Sequence, residues 1–306
     1  MLQLYSAIWR VSGRRQILLI VLSIAIAALA AVPLNFQKEI VNLLTEKKLA
    51  IAELFWLGAG MMAAILLSLL LKWLMGFRSG VLGEDIVRLI RARLLTGPED
   101  GRPQQAVPVG TLSTAISAEA EELGKFAGSA FSEPVVQIGT LISVIGFIAA
   151  TQPGLGVIAL AMILPQIVVV LVSQRKVNEL VARRVHILRG ATNKLTSQDL
   201  QAAEAAVLAD FDAIFETRRV MFIWKLSAKF LLSSINGIGT VSVLMLGGWM
   251  VLHGRTDVGT VVAATMGLGR IQGPTAFLIA FYRQVSANRV KYDLLRGLFD
   301  TKGTQV

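Results

Sequence analysis

Six stretches of this chain run for eighteen residues or more with at most one charge each, and nothing else in the sequence constrains the fold as tightly. They are residues 17–34, 54–77, 134–151, 154–173, 230–252 and 258–282. Coiled at ~1.5 Å per residue, such a stretch matches a hydrocarbon core about 30 Å thick. No water reaches that core, so each segment has to pair its own backbone N–H and C=O groups, which a helix does. The pattern therefore predicts an all-α membrane protein with six transmembrane helices. Composition agrees: 54% of residues are hydrophobic and only 16% charged, whereas soluble domains carry about 25% charged residues.

The formal charge is +10. In a soluble chain that would suggest nucleic acid, but here its distribution points to a lipid bilayer and to no nucleic acid. Alternate inter-span segments hold 24 Lys and Arg against 4, with Lys72 and Arg270 inside spans. Basic residues concentrate on the cytoplasmic side, so both termini and the two long segments 78–133 and 174–229 are expected there. Arg14-Arg15 before an apolar run resembles an export signal. The run is long for a signal, and another span follows closely, so an uncleaved first span is expected. Before it, Leu2, Tyr5, Ile8 and Trp9 recur at helical spacing and suggest a short helix lying in the interface.

Segments 78–133 and 174–229 are fifty-six residues each, far longer than the other loops. Both read as helix, turn, helix. Ile86, Leu89, Ile90 and Leu94 form a stripe that breaks at Gly97-Pro98, and a helical pattern resumes from Thr111 to Phe131. In the second arm, Val177, Leu180, Val181, Val185 and Leu188 form a stripe, Gly190 is the expected interruption, and Leu200–Phe215 is a second helix. Arms of about twenty residues would project roughly 30 Å beyond the bilayer.

Motifs for chemistry are missing. There is no phosphate loop of the G-x-x-x-x-G-K-[ST] type, no H-E-x-x-H and no G-x-S-x-G. The chain has no Cys and only two His, His186 and His253, so no catalytic, cofactor or metal residues are assigned. Without a nucleotide cradle, this chain cannot hydrolyse ATP for a pump.

Gly110-Thr-Leu-Ser-Thr-Ala-Ile-Ser-Ala-Glu119, Gly248-Trp-Met-Val-Leu-His-Gly254-Arg-Thr-Asp-Val-Gly259 and Pro274 followed by Ala287-Asn-Arg-Val-Lys-Tyr-Asp occur in that order. Together with six spans and two long arms, they resemble the transmembrane domain of ABC exporters with the type I fold (ABC transmembrane type-1). The resemblance covers nearly the whole chain, 1–306, as one six-helix domain without a nucleotide-binding domain. It implies the permease subunit of an ATP-driven exporter that works by alternating access in a bacterial inner membrane. It also implies a dimer, with a second copy or with a related chain, and a separate ATPase subunit that carries ATP and Mg. By the same resemblance the arm tips, 98–110 and 190–199, dock the ATPase, with Gln104, Gln105, Val107, Lys194, Thr196, Ser197, Gln198 and Asp199 as coupling residues. A helical-bundle scaffold or regulator that does not transport is the alternative function.

Polar residues within the spans are the candidates for a substrate pathway. Arg270 lies about 18 Å into the sixth span, and a charge at that depth faces a cavity or a partner. It contacts either an anionic or polar substrate, or a carboxylate of a partner subunit, or water in an inner vestibule. Gln272, Asn35, Gln137 and Asn236 are further pathway candidates, with inter-helix hydrogen bonds as the alternative. Lys72, near an inner span end, is expected to snorkel to the interface.

Overall fold

A computed structural model describes residues 2–46, 50–96, 115–197 and 200–300. Among the described residues every element is helical: α1 (Leu2–Leu29), α2 (Val32–Thr45), α3 (Ile51–Thr96), one π-helical turn (Ala115–Glu119), α4 (Ala120–Ser129), α5 (Ser132–Thr151), α6 (Pro153–Ser197), α7 (Leu200–Leu252) and α8 (Val258–Asp300). Five stretches are long and apolar enough to cross a membrane: Leu2–Thr45, Ile51–Leu95, Ile116–Thr151, Pro153–Leu188 and Glu204–Leu252. The chain is thus an all-helical protein with several membrane-crossing candidates. The sixth uncharged run lies within α8 but is not one of the five, and Arg270, Gln272 and Pro274 sit near its middle.

The helices are longer and more continuous than the sequence suggested. The N-terminal residues do not form a separate interfacial helix. They are the first turns of α1, with Leu4 and Ile8 buried in the core rather than facing lipid. Most of what reads as an outer loop after residue 34 is α2, which begins with Pro33 in its first turn. Proline suits that position, since its missing N–H would have had no helical acceptor. Gly190 does not interrupt the second arm, because α6 runs through it to Ser197. One glycine costs a helix only about 1 kcal/mol, which neighbouring turns can absorb. The residues after Thr96 up to 114 lie outside the described set.

Two packed cores divide the bundle along its length. At the end where the arms emerge, Leu4, Leu19, Leu82, Ile86, Phe126 and Phe281 belong to one cluster drawn from α1, α3, α4 and α8. At the opposite, turn end, Leu34, Ile148, Leu155, Val243 and Leu268 belong to the other, drawn from α2, α5, α6, α7 and α8. A polar line on α1 runs beside the first core. The Gln16 amide donates to the Ala127 carbonyl at 2.9 Å, and Ser23 Oγ lies 2.7 Å from the Leu19 carbonyl and 3.0 Å from that of Ser132. These bonds tie α1 to the α4–α5 junction where apolar contact alone would leave it free to slide.

At the turn end, Asp257 caps α8: the Thr260 N–H donates to its Oδ1 at 2.6 Å and the Thr260 hydroxyl to its Oδ2 at 2.9 Å. Lys38 of α2 stands 3.9 Å away, and the Gly259 N–H donates to Asn42 Oδ1 at 2.7 Å, so α2 is clamped to the start of α8. Burial pushes the Asp257 carboxyl up, but the Thr260 N–H, Asn42, the Thr260 hydroxyl and Lys38 together hold it below the usual carboxylate range. The turn before it uses Gly254 at φ 66°, a left-handed conformation that glycine adopts without strain.

Where α4 crosses α3, Gly124 and Gly128 are spaced one turn apart and bring the two backbones together. A Cβ at Gly124 would meet the Val87 side chain and lie 2.9 Å from its backbone nitrogen, and one at Gly128 would lie 2.9 Å from Gly83 N. Gly124→Leu is therefore expected to lower stability by about 1–3 kcal/mol through overpacking. By contrast Gly58→Ala, where nothing lies within 4 Å of the new Cβ, should be neutral or stabilising. Thermal unfolding of the two variants in detergent checks this. A Gly124→Leu protein as stable as wild type would refute the close crossing.

Candidate functional site

Between the two cores lies a cleft of about 750 Å³ walled by α1, α3, α5 and α8, with Pro33 of α2 at one corner. Its apolar wall includes Ile26, Leu69 and Val136. Its polar lining is Ser68 and Lys72 from α3, Glu133, Gln137 and Thr140 from α5, and Arg270 from α8. Three ionisable side chains thus line one cavity, and the one nearest the middle of its span, Arg270, is at a depth where a charge is costly without a partner.

The position of Arg270 follows from the break between α1 and α2. A continuous helix would direct the Leu34 N–H to the Ala30 carbonyl. Instead the Leu34 and Asn35 N–H groups both donate to Ala31, at 3.0 and 3.2 Å. Pro33 has no N–H to offer. Arg270 Nη1 donates to the Ala30 carbonyl at 3.0 Å, and the guanidinium is half-buried. A cation at the carboxyl end of α1 also complements the helix dipole. So the contact made by Arg270 is a backbone carbonyl of its own chain, a role the sequence reading did not consider. The Arg270 side chain also lines the cleft. Gly269, Gly273 and Pro274 line the cavity beside it. Small residues there leave the space open, and the proline removes a backbone donor from α8.

The sequence-derived candidates separate into groups. Arg270 and Gln137 come together in the cleft. Asn35 is exposed on α2, and Gln272 is half-buried outside the cleft lining. Asn236 is half-buried on α7, and its Oδ1 has no hydrogen-bond partner among the described residues. Gln166 on α6 is buried, and neither of its amide atoms has a partner among the described residues. Lys194, Thr196 and Ser197 lie in the last turns of α6. Gln104, Gln105, Val107, Gln198 and Asp199 lie outside the described residues.

Lys72 and Glu133 are the site residues that sequence reasoning missed. Lys72 is exposed as snorkelling requires, yet it borders the same cavity as Arg270. Glu133 looked like the end of an arm, but it is the second residue of α5 and reaches the cleft rim. A carboxylate directly before Pro134 at the start of an apolar run was the available signal. No protein-family model matches the chain, and no curated protein matches it.

Removing the guanidinium tests the central contact. Arg270→Leu leaves the Ala30 carbonyl without a donor and should cost about 1–3 kcal/mol. Arg270→Lys keeps a charged donor and should recover part of that. Unfolding in detergent measures both, and equal stability of Arg270→Leu and wild type would dismiss the capping role.

Proposed function

We propose that this chain is the membrane-spanning permease subunit of an ATP-driven exporter, with the central cleft as its substrate pathway. One observation carries the reading. Two of the helices that wall the polar cleft, α3 and α8, continue without interruption to the arm end. Lys72 is about 36 Å from the last residue of α3, and Arg270 about 45 Å from that of α8, at ~1.5 Å per residue. An unbroken helix is a stiff rod, so displacement of an arm end is transmitted to the cleft. Pro274 lies inside α8 beside the cavity, and Pro33, in the first turn of α2, lines it as well. Levers joined to a polar cavity are what alternating access needs.

In this reading all six apolar runs cross the bilayer, α8 being the sixth, and the 24-to-4 asymmetry of Lys and Arg places the termini and arms in the cytoplasm. The location is then the inner membrane of a bacterium. A second copy or a related chain completes the pathway. A separate nucleotide-binding subunit brings ATP and Mg, and it docks at the arm tips around Lys194–Ser197. Resemblance to the type I ABC exporter domain and the length of α6 and α7 support this arrangement. A scaffold without transport is the competing outcome.

Topology is testable because the chain has no native Cys. In intact cells, Cys replacing Arg255 should react with an impermeant thiol reagent, and Cys replacing His186 on the exposed face of α6 should not. The reverse pattern would invert the orientation. Coupling is tested by purification from native membranes. The wild-type chain should bring down an ATPase, whereas a chain with residues 194–198 replaced by Gly and Ser should insert normally and lose it. Wild-type chain recovered with no ATPase would favour the scaffold.

A further inference from the structure

We propose that a second cleft, between α1 and α3 at the arm end, binds the phosphate of an anionic phospholipid. The cleft has a volume of about 840 Å³. Arg10, Arg14 and Arg15 line it from α1 and Arg88 from α3, and Asp85 is the one carboxylate in its wall. Arg15 is paired with Asp85. Among the described residues, Arg10, Arg14 and Arg88 have no carboxylate within ion-pair distance. Four guanidiniums against one carboxylate leave three positive charges gathered on a concave surface. Like charges so placed repel one another, and an anion held among them turns that repulsion into attraction. The planar guanidinium fork fits phosphate oxygens in a bidentate manner.

The level of the cleft selects a lipid over a soluble phosphate. Arg10 to Arg15 fall within about 10 Å of the start of the first apolar run at Ile17. That is where headgroups lie. Leu18 and Val21, one and two turns on from Arg14, are 47% and 57% exposed and lead from the cleft along the outside of α1. On α3 the apolar window has no buried residue at all, so its outer surface is available to acyl chains. Trp9, 40% exposed, stands at the opposite rim, an amphipathic ring at interface depth. Cationic cleft, exposed apolar track and interfacial indole together make a receptor for an anionic headgroup with its chains in the bilayer. The site depends on membrane insertion but not on the chain being a transporter.

The experiment uses the full chain, purified in a neutral detergent and stripped of lipid. It is titrated with phosphatidylglycerol or phosphatidylcholine, and bound lipid is counted by native mass spectrometry. Wild type should bind phosphatidylglycerol at least about tenfold more tightly than phosphatidylcholine, from basic contacts contributing additively. The variant R10Q/R14Q/R88Q should lose that preference, and Asp85→Asn, which removes the only competing carboxylate, should keep or increase it. If the triple variant fails to insert, Arg88→Gln alone should reduce the preference severalfold. Equal binding of the two lipids by wild type, or an unchanged preference in the Arg variants, would overturn the proposal. Displacement of the lipid by millimolar inorganic phosphate would overturn it too, in favour of a soluble-phosphate site.

Discussion

Among the described residues the Ala30 carbonyl has no backbone donor, and the Arg270 guanidinium supplies the hydrogen bond instead. In an apolar medium an unpaired carbonyl costs several kcal/mol. A helix broken by Pro33 therefore needs a donor from elsewhere, and α8 brings Arg270 to it. That contact joins the first helix to the last, as does the arm-end core that both helices share, and it holds the bend between α1 and α2. It also keeps a cation at the wall of the central cleft. Because α2 is clamped to α8 again at Asn42 and Lys38, the bend is held on both sides.

The rest of the bundle divides into tight and loose parts. Glycine-mediated approach of α4 to α3, and the Gln16 and Ser23 bonds from α1, make the arm-end core compact. At the turn end, α5, α6, α7 and α8 interdigitate through aliphatic side chains. The cleft opens beside the arm-end core, whose Ile26, Met75 and Val136 form part of its wall. The buried, unpartnered amide of Gln166 lies one turn from Met162, against which Gly239 packs, and Asn236 lies one turn from Gly239.

Much of the fold was legible in the sequence. The uncharged runs marked the apolar helices, Gln152-Pro153 marked the boundary between α5 and α6, and Leu200 marked the start of α7. What failed were the expected interruptions. The stretch after residue 34, which reads as an outer loop, is helical to Thr45, and Gly190 was outweighed by the turns on either side of it. Of the pathway candidates, Arg270 and Gln137 meet, while Asn35 and Gln272 do not, because polarity within a span does not reveal which side of a helix is packed.

The amino-acid sequence by itself determined that this chain is helical and apolar enough to enter a membrane. Both properties follow from local rules: a run of uncharged residues must satisfy its own backbone, and only a helix does so within one segment. Tertiary structure decided which charges share a cavity. Lys72, Glu133 and Arg270 come from helices separated by sixty residues or more in the chain. Their meeting depends on the rotation of each helix about its axis, which packing against its neighbours sets. No periodicity within one helix carries that information, because rotation is defined only relative to a neighbour.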